Sequence, residues 1–173
     1  MNPEKLSDIR KELRSFNNDQ LIEICLRLAK YKKENKELLS YLLYQAADPL
    51  AYAESVKTGL LEEFQTLKRY DYHSAKALRK VLRLIAKHSK YTGSAQVELE
   101  LLLWFCKNYL IYADTHTHYK PLQNIFIKQL EKIRKVLAKL HEDLQFDYAN
   151  EFNSILEDAH HKARWFHKKA FEL

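Results

Sequence analysis

The apolar positions of this chain crowd into one stretch in its second half. Between Ser94 and Ala113, Leu101 to Cys106 are six consecutive apolar residues, and Tyr109 to Ala113 add a second run. Wound at about 3.6 residues per turn, the stretch keeps only a thin polar seam through Gln96, Glu100, Lys107 and Asp114. A helix apolar on nearly every side belongs inside a domain, where other elements surround it. The pattern predicts a central helix over 94–113 with the rest of the chain packed around it.

Elsewhere the apolar residues return every three or four positions, the period of an amphipathic helix. Asn2-Pro3-Glu4 reads as a helix start, with Leu6, Ile9 and Leu13 as the stripe to about Ser15. Asn17 to Gln20 is a break and a new cap, followed by Leu21, Ile22, Cys25, Leu26 and Leu28 as far as Tyr31. After the charged turn Lys32-Lys33-Glu34-Asn35, a third helix runs through Leu38, Leu39, Tyr41, Leu42 and Leu43 and stops near Ala47. Asp48-Pro49 pairs a side-chain cap with Pro at the first helical position and opens a helix to about Leu67, with Gly59 a candidate break. Lys68 to His73 reads as a polar connection. Ser74 caps the next helix, which turns Leu78, Val81, Leu82 and Ile85 inward, and Gly93-Ser94 supplies its stop and the next start. Pro121 opens a long helix through Leu122, Phe126, Ile133 and Leu140. A last one starts near Phe146 and carries its stripe to Ala170.

The sum is seven or eight helices with short links, so neighbours run mostly antiparallel. We expect an all-α, single-domain bundle in which 1–47 forms a small N-terminal cap and 48–173 the main body. Stacked helical hairpins are the alternative arrangement, although the fixed period of a solenoid is missing. Arg79–Leu82 and Arg134–Leu137 share the tetrapeptide Arg-Lys-Val-Leu, but the surrounding residues align poorly.

Composition supports this picture. Only two Gly and three Pro occur in 173 residues, too few for the turns of an all-β fold. The central stretch is not expected to cross a membrane, because Glu98, Glu100, Lys107 and Asn108 would lie in hydrocarbon. No apolar leader follows Met1, so a cytoplasmic location is expected. Cys25 and Cys106 sit among apolar neighbours and read as buried, reduced thiols.

Charge singles out one helix. The chain carries a net charge of +6, yet residues 1–73 and 91–173 each balance to zero. The whole excess lies between Ser74 and Lys90, on Lys76, Arg79, Lys80, Arg83, Lys87 and Lys90. Lys76, Lys80, Arg83 and Lys87 share the face opposite the apolar stripe. Such a face could meet phosphates with little sequence preference, or remain a solvated face opposite Glu54, Glu62 and Glu63. No aromatic interleaving or Gly hinge accompanies it.

Histidines cluster twice: His116 and His118 in the loop after Asp114, and His160-His161 in the last helix. Divalent metals use such spacings, but a third or fourth ligand is not evident, and no H-E-x-x-H or Cys-x-x-Cys occurs. Arg83 with His88, and Arg134 with His141, resemble the Arg–His spacing of helical ribonucleases. Residues five apart on a helix diverge by about 140°, which works against joint acid–base chemistry. Tyrosines and tryptophans, including Tyr41, Tyr44, Tyr52, Tyr70, Trp104 and Trp165, are spread over several helices and fit core plus rim.

The opening from Leu6 to Leu43 resembles an uncharacterised bacterial family, domain of unknown function 6155. Gln20-Leu21-Ile22-Glu23 and Glu34-Asn35-Lys36-Glu37 carry the resemblance, and Ala75 to Lys80 continues it. It implies an all-helical chain of similar length and supplies no catalytic residues. With no catalytic constellation or cofactor motif in view, the expected function is a non-enzymatic helical interaction or scaffold module acting on a protein partner or on itself. A nucleic-acid-associated protein using Lys76, Arg79, Lys80, Arg83 and Lys87 is the alternative. A helical ribonuclease, or a metal-binding protein using His116, His118, His160 and His161, is more remote.

Overall fold

The structure, a computed structural model, describes residues 2–68 and 71–171, with only the backbone of Asp71. The expected connection from Lys68 to His73 thus lies partly outside the described residues, as does Tyr70. The fold is all-α: eight helices and a short 3-10 turn, with no strand among the described residues. It divides into two compact units, Met1–Ala47 and Asp48–Leu173.

The first unit holds α1 (Leu6–Leu13), α2 (Asn18–Tyr31) and α3 (Lys33–Tyr44). The Asn17 side chain accepts from the Gln20 amide at 2.9 Å while the Gln20 side chain accepts from the Asn17 amide at 3.0 Å, a reciprocal capping box. Asn35 then donates from its side chain to the Leu28 carbonyl at 2.9 Å and ties the turn between α2 and α3. The expected cap at Asn2 is not formed. Lys5 precedes α1 and makes no side-chain cap bond, so the helix starts only at Leu6.

The second unit holds α4 (Pro49–Gln65), α5 (Asp71–Thr92), α6 (Ala95–Tyr112), α7 (Lys120–Leu137) and α8 (Glu142–Lys162), then a 3-10 turn over Lys168–Ala170. Asp48 caps α4 through the Ala51 amide at 2.9 Å, with Pro49 behind it. Gly59 does not break this helix. Gly93 does end α5: its φ of +62° lies in the left-handed region, and its amide reaches the Ser89 carbonyl at 3.0 Å. Ser94 restarts the chain as α6 by accepting from the Val97 amide.

Helix α6 is the centre of this unit and packs against α4, α5, α7 and α8. Leu99, Leu101, Leu102, Leu103, Phe105 and Tyr109 on it are fully buried. Tyr109 stacks on Phe126 of α7 at 4.9 Å and donates its hydroxyl to the Leu122 carbonyl, which satisfies its one polar atom in the core. Phe64 of α4 meets Trp104 and Phe105 edge-on.

Several boundaries differ from the periodicity reading, and α7 stops at Leu137, short of the expected Leu140. Helix α5 begins at Asp71, and Ser74 lies inside it, buried, donating its hydroxyl to the Lys68 carbonyl instead of capping. Helix α8 begins at Glu142, four residues before the exposed Phe146, and ends at Lys162. Ala163 leaves in an extended conformation, yet Ala163 and Phe166 remain buried. The apolar stripe outlasts the helix because the chain folds back, setting Phe166 between Phe126 and Phe171.

Candidate interaction surface

The two units differ in how they use their apolar residues. In the second, the apolar faces close over α6. In the first, Tyr41 is the one buried residue of α1, α2 and α3. Ile22 is 57% exposed, Leu28 57%, Leu42 55% and Leu43 63%. Single exposed leucines are ordinary, but here they cluster on two short helices, the composition of a binding face.

Leu28, Leu42 and Leu43 line two grooves formed by α2 and α3. One, of about 320 Å³, runs over Cys25, Leu28, Leu38, Leu39 and Leu42. The other, of about 620 Å³, has a floor of Leu26, Ala29, Leu39 and Leu43. Lys30, Lys32, Lys33 and Lys36 border the larger groove. Cys25 is exposed, which corrects the expectation of a buried thiol, because α2 has no partner covering that face within its unit; Cys106 is buried as expected, and both are free.

The basic residues of α5 do not act as one row. Lys80 reaches back to Glu63 of α4 at 2.5 Å, and Lys87 lies over the Tyr91 ring at 5.9 Å. Lys76, Arg79 and Arg83 are exposed and have no ion pair among the described residues. His88 is half-buried, its Nδ1 2.5 Å from the Tyr52 hydroxyl and its ring edge-on to Tyr91. Arg83 stands on the outer face, so this Arg–His spacing has one member in solvent and the other engaged in packing. His141 precedes α8 and is exposed, 3.3 Å from Asp143.

His116 and His118 are exposed on either side of the buried Thr117, whose carbonyl accepts from Gln123 at 2.8 Å. His160 and His161 are exposed near the end of α8, their rings 5.9 Å apart. Trp165 donates its indole N–H to the Thr115 carbonyl at 2.8 Å, which ties the histidine loop to the segment after α8. No group of three or more His, Cys, Asp and Glu able to hold a metal occurs among the described residues.

One polar cluster escaped the sequence reading. Glu100, in the polar seam of α6, accepts from Lys57 of α4 at 2.7 Å and from the Tyr148 hydroxyl of α8 at 2.7 Å. Gln96 donates to the same hydroxyl at 3.1 Å, and Glu54 takes Lys57 at 2.7 Å. Burial pushes Glu100 towards a higher pKa, but the hydrogen bonds from Lys57 and Tyr148 outweigh it and hold the carboxyl below its usual value. Burial pulls Lys57 down, and its carboxylate partners reverse that into a net rise. Tyr148 is pushed up to about 12, chiefly by burial. These opposite shifts mark a satisfied ion pair that joins three helices, with every member engaged by protein groups.

Comparisons with protein-family models, with curated proteins and with solved structures return no match. No helix among the described residues is long and apolar enough to cross a membrane.

Proposed function

We propose that the protein is a helical interaction module whose first unit carries the binding face. The supporting observation is the contrast in burial: α4 to α8 bury most of their leucines and leave only Leu50 of them exposed, whereas α2 and α3 leave Ile22, Leu28, Leu42 and Leu43 in solvent. Apolar area of that kind contributes free energy only when something covers it. The test is affinity capture with the full chain and with a Leu28→Asp/Leu42→Asp variant of unchanged circular dichroism. A partner, or a second copy, held by the natural chain and lost by the variant is the expected result. Capture that the variant leaves unchanged overturns the reading.

A second reading rests on α5, where Lys76, Arg79 and Arg83 are exposed without ion pairs among the described residues. Such a face binds phosphates through counterion release, with an affinity that falls steeply as salt rises.

A further inference from the structure

The larger groove between α2 and α3 has a chemistry more specific than a bare apolar face. Its floor is Leu26, Ala29, Leu39 and Leu43, and no acidic residue lines it. Lys33 stands 3.9 Å from Glu37, while Lys30 and Lys36 are exposed with no ion pair among the described residues. Lys32 is exposed, its ammonium 5.9 Å from the centre of the Tyr31 ring. The groove therefore offers a leucine trough with a cationic rim.

We propose that this groove receives an amphipathic helix of a partner protein, with leucine-like residues on one face and Glu or Asp on its flanks. The proposal rests on the interaction-module reading and names the partner's chemistry. The lining runs the length of α3, from Lys33 to Tyr44, 12 residues or about 18 Å, and meets α2 from Leu26 to its C-terminal end, room for about three turns of a docked helix. Three turns place side chains i, i+3, i+4 and i+7 on the floor and flanking carboxylates beside the lysines. A second copy docked groove to groove would present the same lysines and no acidic residue from this lining, so it offers the rim no opposite charge. A nucleic-acid backbone would satisfy the lysines but leave the leucine floor uncovered.

The test measures fluorescence anisotropy of the full chain with three labelled synthetic peptides of about 18 residues. The first is Glu-rich with Leu at i, i+3, i+4 and i+7, the second permutes its residues to remove the stripe, and the third replaces Glu by Lys. The expected result is binding of the striped acidic peptide alone, weakened at least about tenfold by Leu43→Asp and about tenfold at low salt by Lys30→Glu/Lys36→Glu. Leu43 is 63% exposed, so its replacement should leave the fold intact, and Lys76→Glu on α5 should leave binding unchanged. Equal binding of the permuted peptide overturns the groove, since charge alone would explain it. Preferred binding of the Lys peptide overturns the acidic partner while leaving the module reading standing. So does a dimer in sedimentation velocity that Leu43→Asp dissolves, or Leu43-dependent binding to phosphatidylglycerol vesicles. Failure of all three peptides, together with a monomer that shows no vesicle binding and no Leu28- or Leu42-dependent capture, overturns both readings.

Discussion

Tyr148 of α8 donates to one oxygen of Glu100, and Lys57 of α4 donates to the other, each at 2.7 Å. A single carboxylate in the seam of the central helix thus holds a helix on either side. Lys57 is 13% exposed and Glu100 25%, so the pair is only partly screened. Glu100→Gln keeps the shape and removes the charge, leaving Lys57 with Glu54 alone. It should cost about 2 kcal/mol, and Tyr148→Phe about 1 kcal/mol, in urea unfolding at neutral pH.

The pH dependence of that cost has a definite sign. Glu100 titrates lower in the folded chain than the ordinary value of 4.5, so its contribution is present above 4.5 and fades as pH falls through the folded value. The gap between the natural chain and Glu100→Gln should therefore narrow below 4.5. At the alkaline end, Tyr148 rises from 10.0 to about 12, so its contribution is complete below 10 and is lost as pH climbs towards 12. Lys57 behaves likewise above 10.5. A gap that stays constant from neutral to acid pH would show that the loss does not come from the charge on Glu100.

The two glycines should respond in opposite directions to alanine. Gly93 stands at φ +62°, where a Cβ is strained, so Gly93→Ala should destabilise by about 1 kcal/mol. Gly59 lies inside α4 with open space around the position of a Cβ, so Gly59→Ala should stabilise by about 0.5 to 1 kcal/mol. Thermal unfolding of both variants checks the pair.

The cysteines should differ in reactivity. Cys25 is exposed, whereas burial pushes the Cys106 thiol far above its ordinary range. One equivalent of a thiol reagent should label the native chain, at Cys25, with Cys106 reacting only in denaturant. Rapid labelling of both in the native state would contradict the burial of α6.

Gel-shift titration at two salt concentrations examines α5. Binding to a duplex through this face should fall steeply with salt and weaken in Lys80→Glu/Arg83→Glu. Retained binding in that variant would remove α5 from consideration.

Local chemistry made much of the architecture readable. A helix apolar all round has one place to go, so Leu99 to Leu110 announced the centre of the second unit. Asn17 with Gln20, Asp48 with Pro49, and Gly93 with Ser94 marked boundaries because caps act over three or four residues. Asn2 and Ser74 misled for the same reason: a capping residue type shows only that a start is available there. The Lys57–Glu100–Tyr148 cluster was illegible because its members lie 43 and 48 residues apart, a relation that packing alone creates. The lysine-bordered groove was hidden by averaging. Residues 1–73 sum to zero charge, so Lys30, Lys32, Lys33 and Lys36 vanish into the balance until α2 and α3 set them around one trough.

Enclosure of α6 by α4, α5, α7 and α8 also governs how the second unit comes apart. No neighbour can peel away alone without wetting Leu99, Leu102 or Phe105, so α4 to α8 should open as one cooperative block, without a soluble half-folded stage. Deleting any one of these helices should yield insoluble aggregates instead of a smaller stable bundle.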